Sequence, residues 1–358
     1  MHEIKVNVHM HSYLSDGHAT YAELARAAMQ AGLDAIIVTD HNVFVDGAER
    51  WYQAGKKKAL VLTGQEVHDQ ARDPQKNHLL VFNNRRDYSA LAENPVNLVR
   101  QIKQDHALSF IAHPFEHELK PFGEPDISWV DRSARGFTGI ELWNGMSELK
   151  SRSNTLAQAA FLAFFPTFLP EGPLPQTLAF WDDLLNRGIP CAAIGGSDAH
   201  AFPMKAAFFT KTIFPYVYHF SAINNHLLIN NELTGNIQKD KAEIMEAFSQ
   251  GRLFVGYDLP QPTTGFRFFA QVDQGQVEMG GTGQFRQGAT LHARLPSPAE
   301  VRLLRDGKVV FEKQRTDSCT YFTEQAGTYR LEAYIHYRGK KRGWIFSNPV
   351  ILKRHGSQ

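Results

Sequence analysis

The sequence predicts an α/β domain of repeated strand-helix units followed by a small all-β domain. Three observations carry that prediction. Up to about residue 258, short and nearly all-apolar runs alternate with helical stretches, the pattern of a sheet covered on both faces. After Pro260 and Pro262 the texture changes to short alternating runs separated by turn residues, as in an antiparallel sandwich. Finally, nine side chains able to hold metal fall at the ends of successive apolar runs: His9, His11, Asp16, His41, Glu66, His78, His113, Asp198 and His200. Groups that recur at one point of a repeating unit converge on one mouth of the fold.

Taken in order, strands are expected at 4–9, 35–39, 59–66, 78–82, 108–112, 138–143 and 190–195. In the first, alternation sets Ile4, Val6, Val8 and Met10 on one face and Asn7, His9 and His11 on the other. With the apolar face turned out beneath helices, both histidines point inward. The first connecting helix begins with a capping box, Thr20 answered by Glu23. Leu24, Ala27, Ala28 and Ala31 form its apolar stripe and Gly32 ends it. Because the strands run parallel in this scheme, their carboxyl ends form the mouth, and His78 fits only if its short strand runs differently.

The stretch from Ser147 to Gly188 is longer than an ordinary crossover. It reads as a helix to Phe165, a bend rich in proline (Pro166, Pro170, Pro173, Pro175) and a second helix near Leu178 to Asn186. An insertion of that kind can act as a lid, although packing is the default for Phe161, Phe164, Phe165, Phe168 and Trp181. A last helix, Lys241 to Gln250, precedes Leu253-Phe254-Val255-Gly256. The domains are expected at 1–258 and 264–354. In the second, strands are expected within 266–272, 289–295, 301–304, 309–313, 327–336 and 344–346, with Asp306-Gly307 as a hairpin turn. His355 to Gln358 reads as a frayed tail.

Bulk properties narrow the function. The 358 residues are 43% hydrophobic and 21% charged, a soluble globular profile. Lys+Arg of 38 against Asp+Glu of 37 leaves +1, which argues against a broad nucleic-acid footprint. No apolar run reaches the ~20 residues of a membrane span, so no membrane partner is expected. Cys191 and Cys319 have neither a disulfide framework nor a metal-ligand spacing. Met1-His2-Glu3 runs straight into the first strand with no signal peptide. The expected location is cytoplasmic.

The motifs are HxHSxxSDG at 9–17, TDHN at 39–42, GQEV at 64–67, the His of HLLVF at 78, IAHP at 111–114 and GGSDAH at 195–200. On these residues the first 258 positions resemble the PHP (polymerase and histidinol phosphatase) family of metallohydrolases. The resemblance implies a distorted seven-stranded (β/α) barrel and a trinuclear site. His9, His11, Glu66 and Asp198 would hold the first ion. Glu66 would bridge to a second bound by His78 and His113, while Asp16, His41 and His200 would hold the third. The segment Gly343-Trp344-Ile345-Phe346-Ser347-Asn348-Pro349 is also similar to the Ig-like β-sandwich closing carbaryl-hydrolase-like members, which cleave carbamate or aryl esters.

All-nitrogen and oxygen ligands suit Zn, Mn or Fe about equally. Two or three such ions would make a bridging water acidic enough to supply hydroxide near neutral pH. Catalytic roles are expected for Glu66, Asp198 and Asp40, the last orienting a ligand histidine or passing a proton. Glu141 points at the same mouth and is a weaker candidate. His68 could replace His78. His18, His106, His117 and His219 read as surface or packing residues and Cys191 as core. Arg72, Lys76 and Lys205 are candidates to clamp a phosphate, with solvated surface as the alternative. Three functions follow: a phosphoesterase acting on a small molecule or nucleotide end, a carbamate, aryl-ester or amide hydrolase, and a non-catalytic metal-stabilised binding module. The first needs an Arg/Lys clamp and the second an apolar pocket.

Overall fold

The computed structural model describes residues 1–206 and 209–356, without the side chains of 205, 206, 209 and 210. Seven strands form the first part of the sheet: His2–Val8, Ala35–Val38, Lys57–Val67, Leu79–Phe82, Leu108–Ile111, Gly139–Asn144 and Ala192–Gly196. The first three pair in parallel, as do the last three. Leu79–Phe82 runs antiparallel to both of its neighbours. Its reversal has a simple cause. Parallel strands need a crossover of a dozen or more residues, usually helical, and 68–78 contains no helix. The strand's start therefore faces the mouth, which brings His78 to the site.

The two outer strands of this series also meet. Met10 and Ala199 form a parallel bridge. Ser197 donates to the Val8 carbonyl at 3.1 Å and His11 donates to the Ala199 carbonyl at 3.0 Å. Thr20 and Glu23 form the expected capping box, and Gly32 ends the helix Tyr21–Ala31 with φ +70°.

Several elements differ from expectation. The strand Ile223–Ile229, antiparallel to His2–Val8, was not expected. Its polar stretch Asn224-Asn225-His226 obscured it, yet all three are fully buried. Asn225 explains how: it accepts from Gly195 N–H at 2.8 Å and donates to the Gly195 carbonyl at 2.7 Å. The hairpins Arg50–Ala54/Lys57–Val67 and Phe202–Ala206/Phe209–Ile213 are additional. In the insertion, the single expected helix is two, Gly145–Arg152 and Leu156–Phe164. The second starts afresh because Thr155 and Gln158 build their own capping box.

From Arg267 to Arg354 the described chain is all strand and turn, with its own apolar core. Asp306 and Gly307 both have positive φ and join Ala289–Arg305 to Lys308–Thr323, two strands much longer than expected. Gly275–Glu278, Thr282–Phe285 and Val350–Arg354 are further strands beyond those expected. This part is tied to the first by strand pairing, Leu253–Tyr257 against Lys340–Ser347. Asn348 strengthens the junction, donating to the Ala193 carbonyl and accepting from its N–H, both at 2.8 Å. Arg330 grips Asp182 with two bonds of 2.8 Å. Among the described residues no helix is long and apolar enough to cross a membrane. Ser357 and Gln358 of the tail lie outside the described residues.

Candidate metal centre

All nine side chains singled out in the sequence meet at one mouth. The first strand stops at Val8 because His9 turns to φ +62°; His113 and Asp198 also have positive φ, +26° and +50°. Non-glycine residues in that region are held there by their surroundings, and they cluster at functional sites. Simple alternation therefore does not extend through His9, but His9 and His11 are both fully buried with ring centroids 5.4 Å apart. Two glycines are obligatory here. A Cβ on Gly17 would lie 2.1 Å from the His11 carbonyl oxygen, and one on Gly196 would lie 1.6 Å from Glu141 Oε1.

Glu66 is the hub. Its Oε2 lies 3.0 Å from His9 Nε2, and its Oε1 lies 2.8 Å from His78 Nδ1 and 3.1 Å from His113 Nε2. His41 Nδ1 and His11 Nε2 approach Oε2 at 3.2 and 3.3 Å. Asp198 Oδ1 sits 3.2 Å from His11 Nε2 and 3.4 Å from His9 Nε2. Asp16, the most exposed member, reaches His200 at 3.3 Å and His41 at 3.6 Å. Four overlapping sets have ligand atoms within 4.8 Å of one another: His9/His11/Glu66/Asp198, His11/Asp16/His41/His200, His41/Glu66/His78 and His113/Glu116/Asp198.

The donor set fits divalent cations. Both ring nitrogens of His11, Nδ1 of His41, Nε2 of His78 and Nδ1 of His113 are buried without a hydrogen-bond partner. Buried polar atoms in folded proteins are almost always paired. A concentration of unpaired imidazole nitrogens around two buried carboxylates is thus a donor set that fits a divalent cation.

Surrounding groups fix this arrangement. Glu141 accepts from His9 Nδ1 at 2.7 Å, from the His113 N–H at 2.7 Å and from Asn144 Nδ2 at 2.9 Å. Asp40 requires a correction. Its carboxylate accepts from Ser12 N–H, Ser12 Oγ and Ser15 Oγ at 2.7–2.8 Å and from Tyr21 at 3.3 Å. It thus pins the loop that carries Asp16 rather than orienting a histidine, because both oxygens are spent on those donors.

Glu116 was missed in the sequence. Buried, 3.5 Å from His113 Nδ1, it accepts from Ser147 Oγ at 2.7 Å and Lys150 Nζ at 2.6 Å. Its only sequence signal was its position three residues after His113. His68 stacks on His78 with centroids 4.4 Å apart but joins none of the four sets.

The remaining candidates divide as follows. Lys76 pairs with Asp126, and Arg72 is exposed; the side chain of Lys205 lies outside the described residues. His18, His106 and His117 are exposed, and His219 is buried in packing. Cys191 is buried, and burial raises its thiol above the ordinary range.

The electrostatics follow from burial competing with opposite charge. Burial works to raise the Glu66 carboxyl, but the charges of His9 and His41 and bonds from His113 and His78 hold it well below its usual range. Asp198 is lowered against the same burial by His9, His11 and His200. Burial opposes charge on His113 and His200 as well. Glu116 and Glu66 nonetheless raise His113 to about 9, and Asp16 and Asp198 raise His200 to about 9. His41 goes the other way, pushed to about 3 by burial that Glu66 does not offset.

The cluster opens onto a cavity of about 810 Å³. Its far wall comes largely from the insertion helices and from Phe202, Met204, Ile213 and Phe214. Lys150 is the only lysine or arginine on that wall among the described residues, and Glu116 and Glu124 hold it at 2.6 and 2.9 Å.

Comparison with known proteins adds a domain match and several distant structural likenesses. A two-domain protein containing a predicted PHP-like metal-dependent phosphoesterase from Bacteroides vulgatus shares 15% identity, with 97% of this chain and 95% of that one covered at a TM-score of 0.42. A putative metal-dependent phosphoesterase from Bifidobacterium adolescentis shares 14% over 58% of this chain and 92% of its own, TM-score 0.32. An amidohydrolase from Chromobacterium violaceum shares 14% over 59% and 92%, TM-score 0.27. No curated protein matches the chain. Residues 7–119, which bear seven of the nine clustered side chains, match the PHP domain. The match thus covers most of the histidine–carboxylate mouth, while Asp198 and His200 lie beyond it.

Proposed function

We propose that this protein is a metal-dependent hydrolase, and specifically a phosphoesterase working with two or three divalent ions. The observation that carries the reading is the group of unpartnered buried ring nitrogens around Glu66 and Asp198. His9, His11, Glu66 and Asp198 would hold one ion; Glu66, His78 and His113 a second; Asp16, His41 and His200 a third. When bound, such ions supply an acidified water and positive charge for a developing oxyanion.

The chain's own residues do the positioning. Glu141 accepts a hydrogen bond from His9 Nδ1, which fixes the ring so that Nε2 would be the atom offered to an ion between Glu66 and Asp198. Asp40 holds the loop that delivers Asp16. Glu116, itself held by Ser147 and Lys150, places a negative charge 3.5 Å from His113 Nδ1.

A second reading, hydrolysis of a carbamate, aryl ester or amide, is favoured by one specific observation. The cavity wall is largely apolar and the one lysine that lines it among the described residues is already held by two carboxylates. The deciding experiment loads the protein separately with Zn, Mn and Fe. It then compares p-nitrophenyl phosphate, bis-p-nitrophenyl phosphate and a 1-naphthyl carbamate, with Asp198→Ala as control. Phosphoester turnover lost in the variant supports the first reading. Carbamate turnover alone replaces it with the second, and silence on all three despite bound metal rejects hydrolysis.

A further inference from the structure

The cavity beside the metal-ligand cluster is far larger than a phosphate or a small ester requires. At about 810 Å³ it falls in the range of sites that enclose a whole organic ligand. Phe122, Leu156, Phe164 and Phe202 all line it, and all are between 40% and 62% exposed. Large apolar side chains gathered on one exposed wall usually mark a binding surface, whereas scattered ones do not. Leu149 and Phe214 supply buried apolar surface on the same wall. Charge is scarce away from the cluster. Among the residues that line the cavity, Lys150 is neutralised by Glu116 and Glu124, while Lys211 packs its ammonium over the Phe164 ring at 4.2 Å.

We propose that this wall is a subsite for an uncharged, apolar limb, aryl or branched alkyl, of the ester attacked at the metal-ligand cluster. The inference rests on the hydrolytic reading for its reaction but not for its binding. It separates the substrate into two halves: a polar, cleavable group at Glu66 and Asp198, and a bulky hydrocarbon between the helix Leu156–Phe164 and the strand Phe202–Ala206. Phe164 and Leu156 become specificity residues, since both are exposed to the cavity and neither touches the ligand histidines.

The test uses the full chain and the uncharged fluorophore N-phenyl-1-naphthylamine, first without added metal. Ala160→Trp fills the cavity from an exposed helix position, and Leu156→Glu puts a charge on the wall at the start of the same helix. Each is expected to raise the dye's Kd by about tenfold or more. An unchanged melting temperature and metal content show that a variant is folded, and either variant alone suffices if the other is not. With metal bound, the ratio of kcat/KM for 1-naphthyl over methyl esters, phosphate and acetate alike, falls in both variants. Absence of all turnover with the dye still displaced rejects hydrolysis and keeps the subsite. Dye binding that neither substitution weakens overturns the subsite, whatever the kinetics show.

Discussion

Two buried histidine–carboxylate clusters flank the first strand, one at each end, and they differ in what is left unpaired. Near its start, His226 lies between Glu3 and Asp258. Nδ1 is 2.8 Å from Glu3 Oε1, and Nε2 is 3.1 Å from Asp258 Oδ2 and 2.8 Å from Thr263 Oγ1. The carboxylates are completed by the N–H groups of Gly265 and Thr263 and by Arg267. Past its end, around Glu66, the imidazoles outnumber the carboxylates and several ring nitrogens have no partner. The same residue types thus form a closed ion-pair network at one end and a set of open donors at the other. Counting histidines does not separate the two; counting unpaired nitrogens does.

The comparison breaks most visibly at Asp198. Asp198→Ala removes a carboxylate from the open cluster, and abolished turnover with loss of bound metal is the expected result, read by the ester assay and by metal analysis. At the closed cluster, His226→Leu removes the imidazole that Glu3 and Asp258 share, leaving only Arg267 beside Glu3 and Lys5 3.9 Å from Asp258. It should cost about 3–5 kcal/mol in urea unfolding, with metal content untouched. Equal metal loss in both variants would erase the distinction.

The pH dependence of the closed cluster sharpens it. Burial lowers His226, but Asp258 and Glu3 outweigh it and raise the imidazole. Its contribution is therefore complete below an unfolded value of about 6.5 and fades as pH climbs through the raised folded value. Asp258 and Glu3 are lowered against burial, chiefly by His226. Their contribution is present above about pH 4 and is lost as pH falls through their depressed folded values. The stability gap between wild type and His226→Leu should be widest between about pH 4.5 and 6.5, measured by urea unfolding across the range. A gap that grows steadily above pH 8 would contradict this assignment.

Smaller effects follow. Glu141→Gln keeps the shape but weakens the hold on His9, and metal affinity should fall by about 10–100-fold in competition with a chelator. Thr20→Ala removes one half of a helix cap whose side-chain bonds run between Thr20 and Glu23 and should cost about 1 kcal/mol with no change in metal binding.

Much of the mouth was legible because its ligands follow apolar strands, and strand ends are where a chain can present polar groups to one point. The capping box at Thr20 and the Asp306-Gly307 hairpin were legible for a related reason: each is a local interaction whose chemistry lies within a few residues. What escaped depended on distant partners. Asn224, Asn225 and His226 looked too polar for a buried strand because their bonds run to Asn7, Gly195, Glu3 and Asp258. Glu116 was invisible because its meaning comes from Lys150, a third of a hundred residues away. Asp40 was expected to orient a ligand histidine, whereas its carboxylate turns back to Ser12 and Ser15. The reversed strand Leu79–Phe82 was left open by the sequence, although the lack of a crossover helix before it already favoured an antiparallel return.

The central claim is that the open cluster, and not the closed one, holds metal. Equilibrium dialysis of stripped protein against Zn or Mn, followed by elemental analysis, tests it directly. Two or three ions per chain in wild type and in His226→Leu, with fewer in Asp198→Ala, is the predicted result. The same metal content in wild type and Asp198→Ala, or a selective loss in His226→Leu, would contradict it.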